Sequence, residues 1–309
     1  MTEISPDVLR TLPLPQHSDD SNKADCGKLL LIAGSRRLTG AAILAARAAL
    51  RTGCSSVRLA TPASVALAIG VQVPELMVLP LPETPDGTIA LGASTLLEEQ
   101  CATCDATVLG PGLDENEETR VLQRRLAMEM PLPLVLDATA LLVHSDAQHT
   151  YLHPRIITSS QQKFEVIYGA APTAARETRV LEYVQRSQGD VTLVLQGRQT
   201  LVASKPDMLY GNAEGTRGLG SAGSGDVLAG IIGGLLAQFV AQKVENSATR
   251  AALWGVHLHA LCGEAVEKDL GDDGMIASDL ITRLAGVLRF LRKQTDPKHE
   301  AHFGLRPKL

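Results

Sequence analysis

The run Gly218-Leu219-Gly220-Ser221-Ala222-Gly223-Ser224-Gly225-Asp226 is built from small residues and opens directly on an apolar stripe. That stripe, Val227, Leu228, Ile231, Ile232, Leu235, Leu236 and Phe239, has helical spacing. Glycines let a backbone turn through positive φ and let a ligand approach closely. The first turn of a helix leaves N–H groups free at its positive dipole end, so Gly223, Ser224 and Gly225 would form an anion hole suited to a phosphate. Asp226 on that turn has two readings. It can cap free amides, or it can take a proton from a hydroxyl that attacks phosphorus. A dinucleotide fingerprint is disfavoured, because the loop comes late in the chain rather than after the first strand. A Walker loop is excluded, because no G-K-[ST] follows the glycines.

The elements that must position this loop alternate along the chain. Strands are expected at Lys28–Ala33, Ser56–Thr61, Thr107–Leu109, Leu134–Asp137, Arg155–Thr158, Thr192–Leu195 and Thr200–Ala203. Helical runs separate them, at Gly40–Leu50, after Pro62 and around Glu118–Met128. Strands spaced by helices imply a mostly parallel sheet covered on both faces. Gly230, Gly233 and Gly234 weaken an isolated helix, so the helix after Asp226 is expected to pack closely on a neighbour. No repeat or linker divides the chain, which reads as one domain over residues 1–309. Residues 1–22 read as a loose lead and 293–309 as a polar tail.

Composition narrows the function classes. With 309 residues, 45% hydrophobic but only 3% aromatic, the core must be aliphatic, which suits parallel strands buried on both sides. A net charge of −5 without a basic run argues against a nucleic-acid partner. No signal peptide or membrane span is read, since Gly233 and Gly234 break the most apolar stretch. Five cysteines, an odd number, fit a reducing, cytoplasmic setting. Cys101 and Cys104 read as ordinary thiols, because no second ligand pair accompanies them.

The G-S-G-D loop leading into VLAGIIGGLLAQ resembles the signature of ribokinase-like enzymes, and is most similar to that of the ADP/ATP-dependent NAD(P)H-hydrate dehydratases. The resemblance runs from about Lys23 to Leu280. It is carried by Lys23-Ala24-Asp25-Cys26-Gly27, Ala33-Gly34-Ser35, Gly40-Ala41-Ala42, Pro74-Glu75-Leu76-Met77, Gly110-Pro111-Gly112-Leu113, Val135-Leu136-Asp137-Ala138 and Ala277-Ser278-Asp279-Leu280. It implies an α/β, ribokinase-like three-layer sandwich with a mostly parallel central sheet. It also implies a repair lyase that spends ADP or ATP, with Mg²⁺ on the nucleotide phosphates, to dehydrate hydrated NADH or NADPH. Asp226 would be the base, and the amides of Gly223–Gly225 would hold the phosphoryl group. Ala41, Gly112, Ser160 and Asp226 would line the substrate pocket. Gln196, Gly197, Arg198, Gln199, Thr200 and Gly225 would meet the nucleotide. Asp137 matches an Asp at a strand's C-terminal end. No residue is assigned as a metal ligand. A partner epimerase would be a separate chain, and self-association is common in the family.

Four stretches depart from the family pattern. T-P-H-P-G-E-F reads Thr158-Ser159-Ser160-Gln161-Gln162-Lys163-Phe164, so Ser160 replaces a histidine and Lys163 a glutamate. K-G-A-x-T reads Gln196-Gly197-Arg198-Gln199-Thr200, where Arg198 would partly supply the missing cation. D-A-D-A-L-N reads Asp137-Ala138-Thr139-Ala140-Leu141-Leu142, and G-N-P-G reads Gly215-Thr216-Arg217-Gly218. Three readings follow: the repair reaction in an altered pocket, a small-molecule kinase acting on another hydroxyl, or a non-catalytic nucleotide-binding module. His257 and His259 point to opposite sides of a helix and cannot share a metal. His259, with Cys262 on the same face, reads as a satisfied core residue. His299 and His302 read as solvated tail, Asp19-Asp20 as solvated lead, and Asp272-Asp273 as a turn.

Overall fold

The computed structural model describes residues 1–16, 25–137, 150–170, 175–204 and 208–295. Asp19-Asp20, Lys23-Ala24, Ala138–Leu142, His299 and His302 lie outside them.

Short apolar runs punctuated by glycine become strands, and the longer runs between them become helices. The order is β1 (Thr2–Glu3), α1 (Pro6–Arg10), β2 (Lys28–Ile32), α2 (Thr39–Arg51), β3 (Ser56–Pro62), α3 (Ala63–Gln72) and β4 (Met77–Leu81). It continues through α4 (Ser94–Cys101), β5 (Ala106–Leu109), α5 (Glu117–Glu129), β6 (Leu134–Leu136), β7 (Arg155–Ser160), α6 (Gln161–Tyr168) and α7 (Arg176–Arg186). Then follow β8 (Val191–Gln196), β9 (Thr200–Ser204), β10 (Met208–Asn212), α8 (Ser224–Ala241), α9 (Ser247–Leu270) and α10 (Ala277–Thr295).

The described strands form one sheet in the order β1-β10-β9-β8-β7-β6-β5-β2-β3-β4. Every pairing is parallel except those of β9 with β8 and β10. Successive side chains point to opposite faces. Leu29 and Leu31 therefore join one core with α2, α8, α9 and α10, while Leu30 and Ile32 join a second core with α4, α5 and α7. This is the expected sandwich: a mostly parallel sheet between two helical layers.

The glycine-rich helix packs as its composition predicts. A Cβ on Gly230 would stand 2.2 Å from the Ala45 carbonyl oxygen of α2, and one on Gly234 would stand 2.4 Å from Thr52 Oγ1. The small faces of α2 and α8 let their backbones touch, which anchors the loop before α8. By length and apolarity α8 is the one described helix that could cross a membrane, yet most of it is buried inside this core.

The lead is not loose up to residue 16. β1 pairs with β10, Leu9 and Leu14 are buried, and the Trp254 indole donates to the Leu12 carbonyl at 2.6 Å. So few apolar residues in a polar segment give no periodicity to read. Of the polar tail, residues 293–295 continue α10. The strand β4 also went unread, because Pro80 interrupts it. As the sheet's edge, β4 needs no donor from that residue.

Candidate functional site

The C-terminal ends of β2, β5, β6, β7 and β8 carry, in turn, Gly34, Gly110, Asp137, Ser160 and Gln196, and α8 begins among them. Crevices at strand C-termini are where open α/β sheets hold ligands.

Gly223 caps α8 at φ +88°, a left-handed conformation, and a Cβ there would stand 2.6 Å from Leu44 Cδ1. Only glycine satisfies both conditions. The three-residue anion hole needs one correction. The Ser224 amide is already spent on the Ser221 carbonyl at 3.2 Å. Among the described residues the first-turn amides left without a partner are those of Gly225 and Asp226.

Ser224 serves from the other side. Its carbonyl accepts from His259 Nε2 at 3.1 Å, and its hydroxyl lies 3.0 Å from the same nitrogen. A carbonyl can only accept, so Nε2 carries the proton. Burial pushes the His259 pKa down to about 4, so a neutral ring pins the start of α8. His259 is a satisfied core histidine, as expected, but its partner belongs to the first turn of α8. Nothing in sequence spacing links residues 224 and 259.

Asp226 is half-buried, and its pKa is pushed up to about 7. Burial is the main cause, the Asp137 charge adds to it, and the Lys163 charge opposes it. Asp137 is buried at the end of β6, where Thr158 Oγ1 donates to its Oδ1 at 2.6 Å. A carboxylate that titrates near neutrality can both take a proton and return it. Capping alone would lower this pKa, so the base reading of Asp226 gains over the cap reading.

Ser160 and Gln196 are register partners at the ends of β7 and β8. Both terminal atoms of the Gln196 amide lie 3.8 Å from the place a Cβ would occupy on Gly225. Ser160 caps α6 by accepting the Lys163 amide at 3.4 Å. Gln196, the first residue of the Gln196–Thr200 segment, therefore meets both Gly225 and Ser160 where the β8–β9 hairpin begins.

Arg198 is exposed at the turn of that hairpin. Arg176, at the start of α7, donates to Gln161 Oε1 at 2.9 Å and to the Gln199 carbonyl at 3.1 Å. Its Nη2 tucks against Gly197, where a Cβ would stand 2.6 Å away. Sequence reasoning missed Arg176 because its partners sit on two other elements.

Ala41 and Gly112 are brought together at the other end of the row. Gly112 is buried, and a Cβ on it would meet the Leu38 carbonyl at 2.5 Å and Ala41 Cβ at 2.9 Å. The small residue at 112 is thus demanded by the fold itself, and Ala41 is the more open of the two. Arg37 and Asp114 clasp the same rim through two contacts of 2.6 Å.

The turn before Gly223 is held by acids. Asp272 Oδ1 accepts the Gly218 amide at 3.0 Å, Arg217 pairs with Asp273 at 2.6 Å, and Glu264 accepts the Gly215 amide at 2.9 Å. The Gly218 amide is the main cause of the lowered Asp272 pKa. His257 faces Glu214, with Nδ1 and Oε2 2.7 Å apart but without hydrogen-bond alignment. Among the described residues no cluster of three or more His, Cys, Asp or Glu could hold a metal ion.

A family model described as NAD(P)H-hydrate dehydratase matches residues 29–285. The chain is 35% identical over 284 residues to the ADP-dependent (S)-NAD(P)H-hydrate dehydratase of Xanthomonas campestris, covering 91% of this chain and 94% of that one. It belongs to the NAD(P)H-hydrate dehydratase family. Among solved structures, the ADP/ATP-dependent NAD(P)H-hydrate dehydratase of Bacillus subtilis, co-crystallised with ATP/Mg²⁺, superposes with a TM-score of 0.72 at 26% identity. That match covers 96% of this dehydratase-family chain and 99% of the other. A ribokinase-like superfamily protein of Enterococcus faecalis superposes with a TM-score of 0.76 at 23% identity, over 94% and 96% of the two chains, and shares the fold. The chain spans about half the length of the bifunctional NAD(P)H-hydrate repair enzymes it also matches (53% of the one from Moorella thermoacetica).

Proposed function

We propose that this chain dehydrates hydrated NADH and NADPH at the expense of ADP or ATP. The observation that carries the reading is Asp226. In a member of this family, a carboxylate with a pKa of about 7 sits on the first turn of α8 beside unpaired amides.

The nucleotide lies along Gln196–Thr200 and Gly225, with its terminal phosphate on the amides of Gly225 and Asp226. The nicotinamide ring enters between Ala41, Ser160 and Asp226, placing its hydroxyl against the carboxylate. Asp226 accepts the hydroxyl proton as that oxygen attacks the terminal phosphorus, and the bond to AMP or ADP breaks. The ring carbon–oxygen bond then breaks, phosphate departs, and loss of the adjacent C–H proton restores the ring double bond. The amides act throughout as fixed positive dipoles toward the transferring group. Mg²⁺ bound on the nucleotide phosphates would offset their charge.

An epimerase would supply the usable epimer under this reading. A cytoplasmic location and self-association belong to the same proposal, and light scattering checks the latter.

The test mixes hydrated NADH, Mg²⁺ and ADP or ATP and follows the absorbance of reduced nicotinamide. Recovery of absorbance with equimolar phosphate release supports the dehydratase. A phosphorylated product that persists would instead mark a kinase. Nucleotide binding without turnover would mark a binding module.

A further inference from the structure

Two helices begin at the same place. α6 starts at Ser160–Lys163 and α8 at Gly223–Asp226, while Gln196, register partner of Ser160, reaches Gly225 between them. The positive ends of both helices thus flank one space, walled on its α8 side by the Asp226 carboxylate.

Three cations stand near this space, and they are not equivalent. The Arg176 guanidinium donates to Gln161 and the Gln199 carbonyl from beneath the hairpin, and its remaining Nη2 is buried against Gly197 without a partner, away from solvent. Arg198 is exposed at the hairpin tip. Lys163 is held at its backbone by Ser160, its side chain is exposed, and its charge is felt by Asp226 across the opening. Gln196, the side chain nearest Gly225 from the hairpin, is neutral. A nucleotide tail bringing two or three negative phosphates toward the Asp137–Asp226 pair needs a positive group here, and Lys163 supplies a mobile one whose charge already acts on Asp226.

We propose that Lys163 binds the nucleotide polyphosphate directly and sets the site's preference for a highly charged nucleotide. This rests on the placement of the nucleotide at the start of α8. Lys163 belongs to the start of α6 and the free amides of Gly225 and Asp226 to the start of α8, so phosphates held by both bridge the two helix starts. Lysine acts here as a point charge on a flexible stem, a role arginine can share and an acid reverses.

Direct titration calorimetry with ATP, ADP and AMP tests this on the full chain, with and without Mg²⁺. Lys163 is exposed, so its variants keep the fold. Lys163→Ala should weaken ATP binding about ten-fold and AMP binding by less than about two-fold, as expected for loss of one charge-assisted contact. Lys163→Arg should stay within about three-fold of wild type, and Lys163→Glu should lose more than Lys163→Ala. Unchanged ATP affinity in Lys163→Ala, or equal losses for ATP and AMP, overturns the role of Lys163 while leaving the nucleotide site standing. Failure of the wild-type protein to bind any of the three nucleotides overturns both.

Discussion

Asp226→Asn should abolish turnover and raise stability, and the size of the second effect should follow pH. The folded Asp226 keeps its proton to about pH 7, while its ordinary value is 3.8. As pH rises from about 4 to 7 the unfolded chain releases this proton and the folded one does not, so wild-type stability falls across that window and is level above it. A gap of about three units corresponds to ~4 kcal/mol for a fully shielded carboxylate. Asp226 is only half-buried, so solvent screening reduces this to roughly 1–2 kcal/mol. The amide has nearly the same shape and does not titrate. The variant should therefore melt about 2–4 °C above wild type at pH 8, with an advantage about a third as large at pH 5. Turnover should drop by about 10²–10⁴-fold. Scanning calorimetry at the two pH values, beside the nicotinamide assay, reads both effects. An equal melting shift at pH 5 and pH 8, or none at either, would refute the claim that ionised Asp226 is held against its preference.

Three further outcomes follow from the same geometry. Wild-type kcat/KM should rise with pH through an acid limb near 7, because the base of the free enzyme must be ionised, and a limb near 4 would contradict the raised Asp226. Gly230→Ala places a methyl 2.2 Å from the Ala45 carbonyl and must separate α2 from α8. It should cost about 1–3 kcal/mol in a urea melt. Gln196→Lys adds a cation at the hairpin beside Gly225, and should lower the nucleotide KM several-fold while leaving the KM for hydrated NADH unchanged.

Much of this molecule was legible before its fold was known, and the parts that were not share a cause. Gly230, Gly233 and Gly234 announced a close helix partner, because a small residue in a helix has little reason to be there except approach. The loop ending at Asp226 announced a helix start with free amides, because such amides and their polarity are local properties of a helix start. Read alone, Asp226 was equally a cap, and its burial beside Asp137 is what favours the base. The hidden features depend on groups far apart in sequence. His259 supports Ser224 from another helix, Arg176 holds the β8–β9 hairpin from α7, and Ser221 claims the Ser224 amide through a turn. Strand β4 was hidden by Pro80 because edge position is a tertiary fact.

The central claim is tested most directly by incubating the wild-type protein with hydrated NADH, Mg²⁺ and either ADP or ATP. Reduced-nicotinamide absorbance should return with one phosphate released per ring restored, and Asp226→Asn should fail under the same conditions. No recovery with either nucleotide, from protein that binds both, would contradict the assignment.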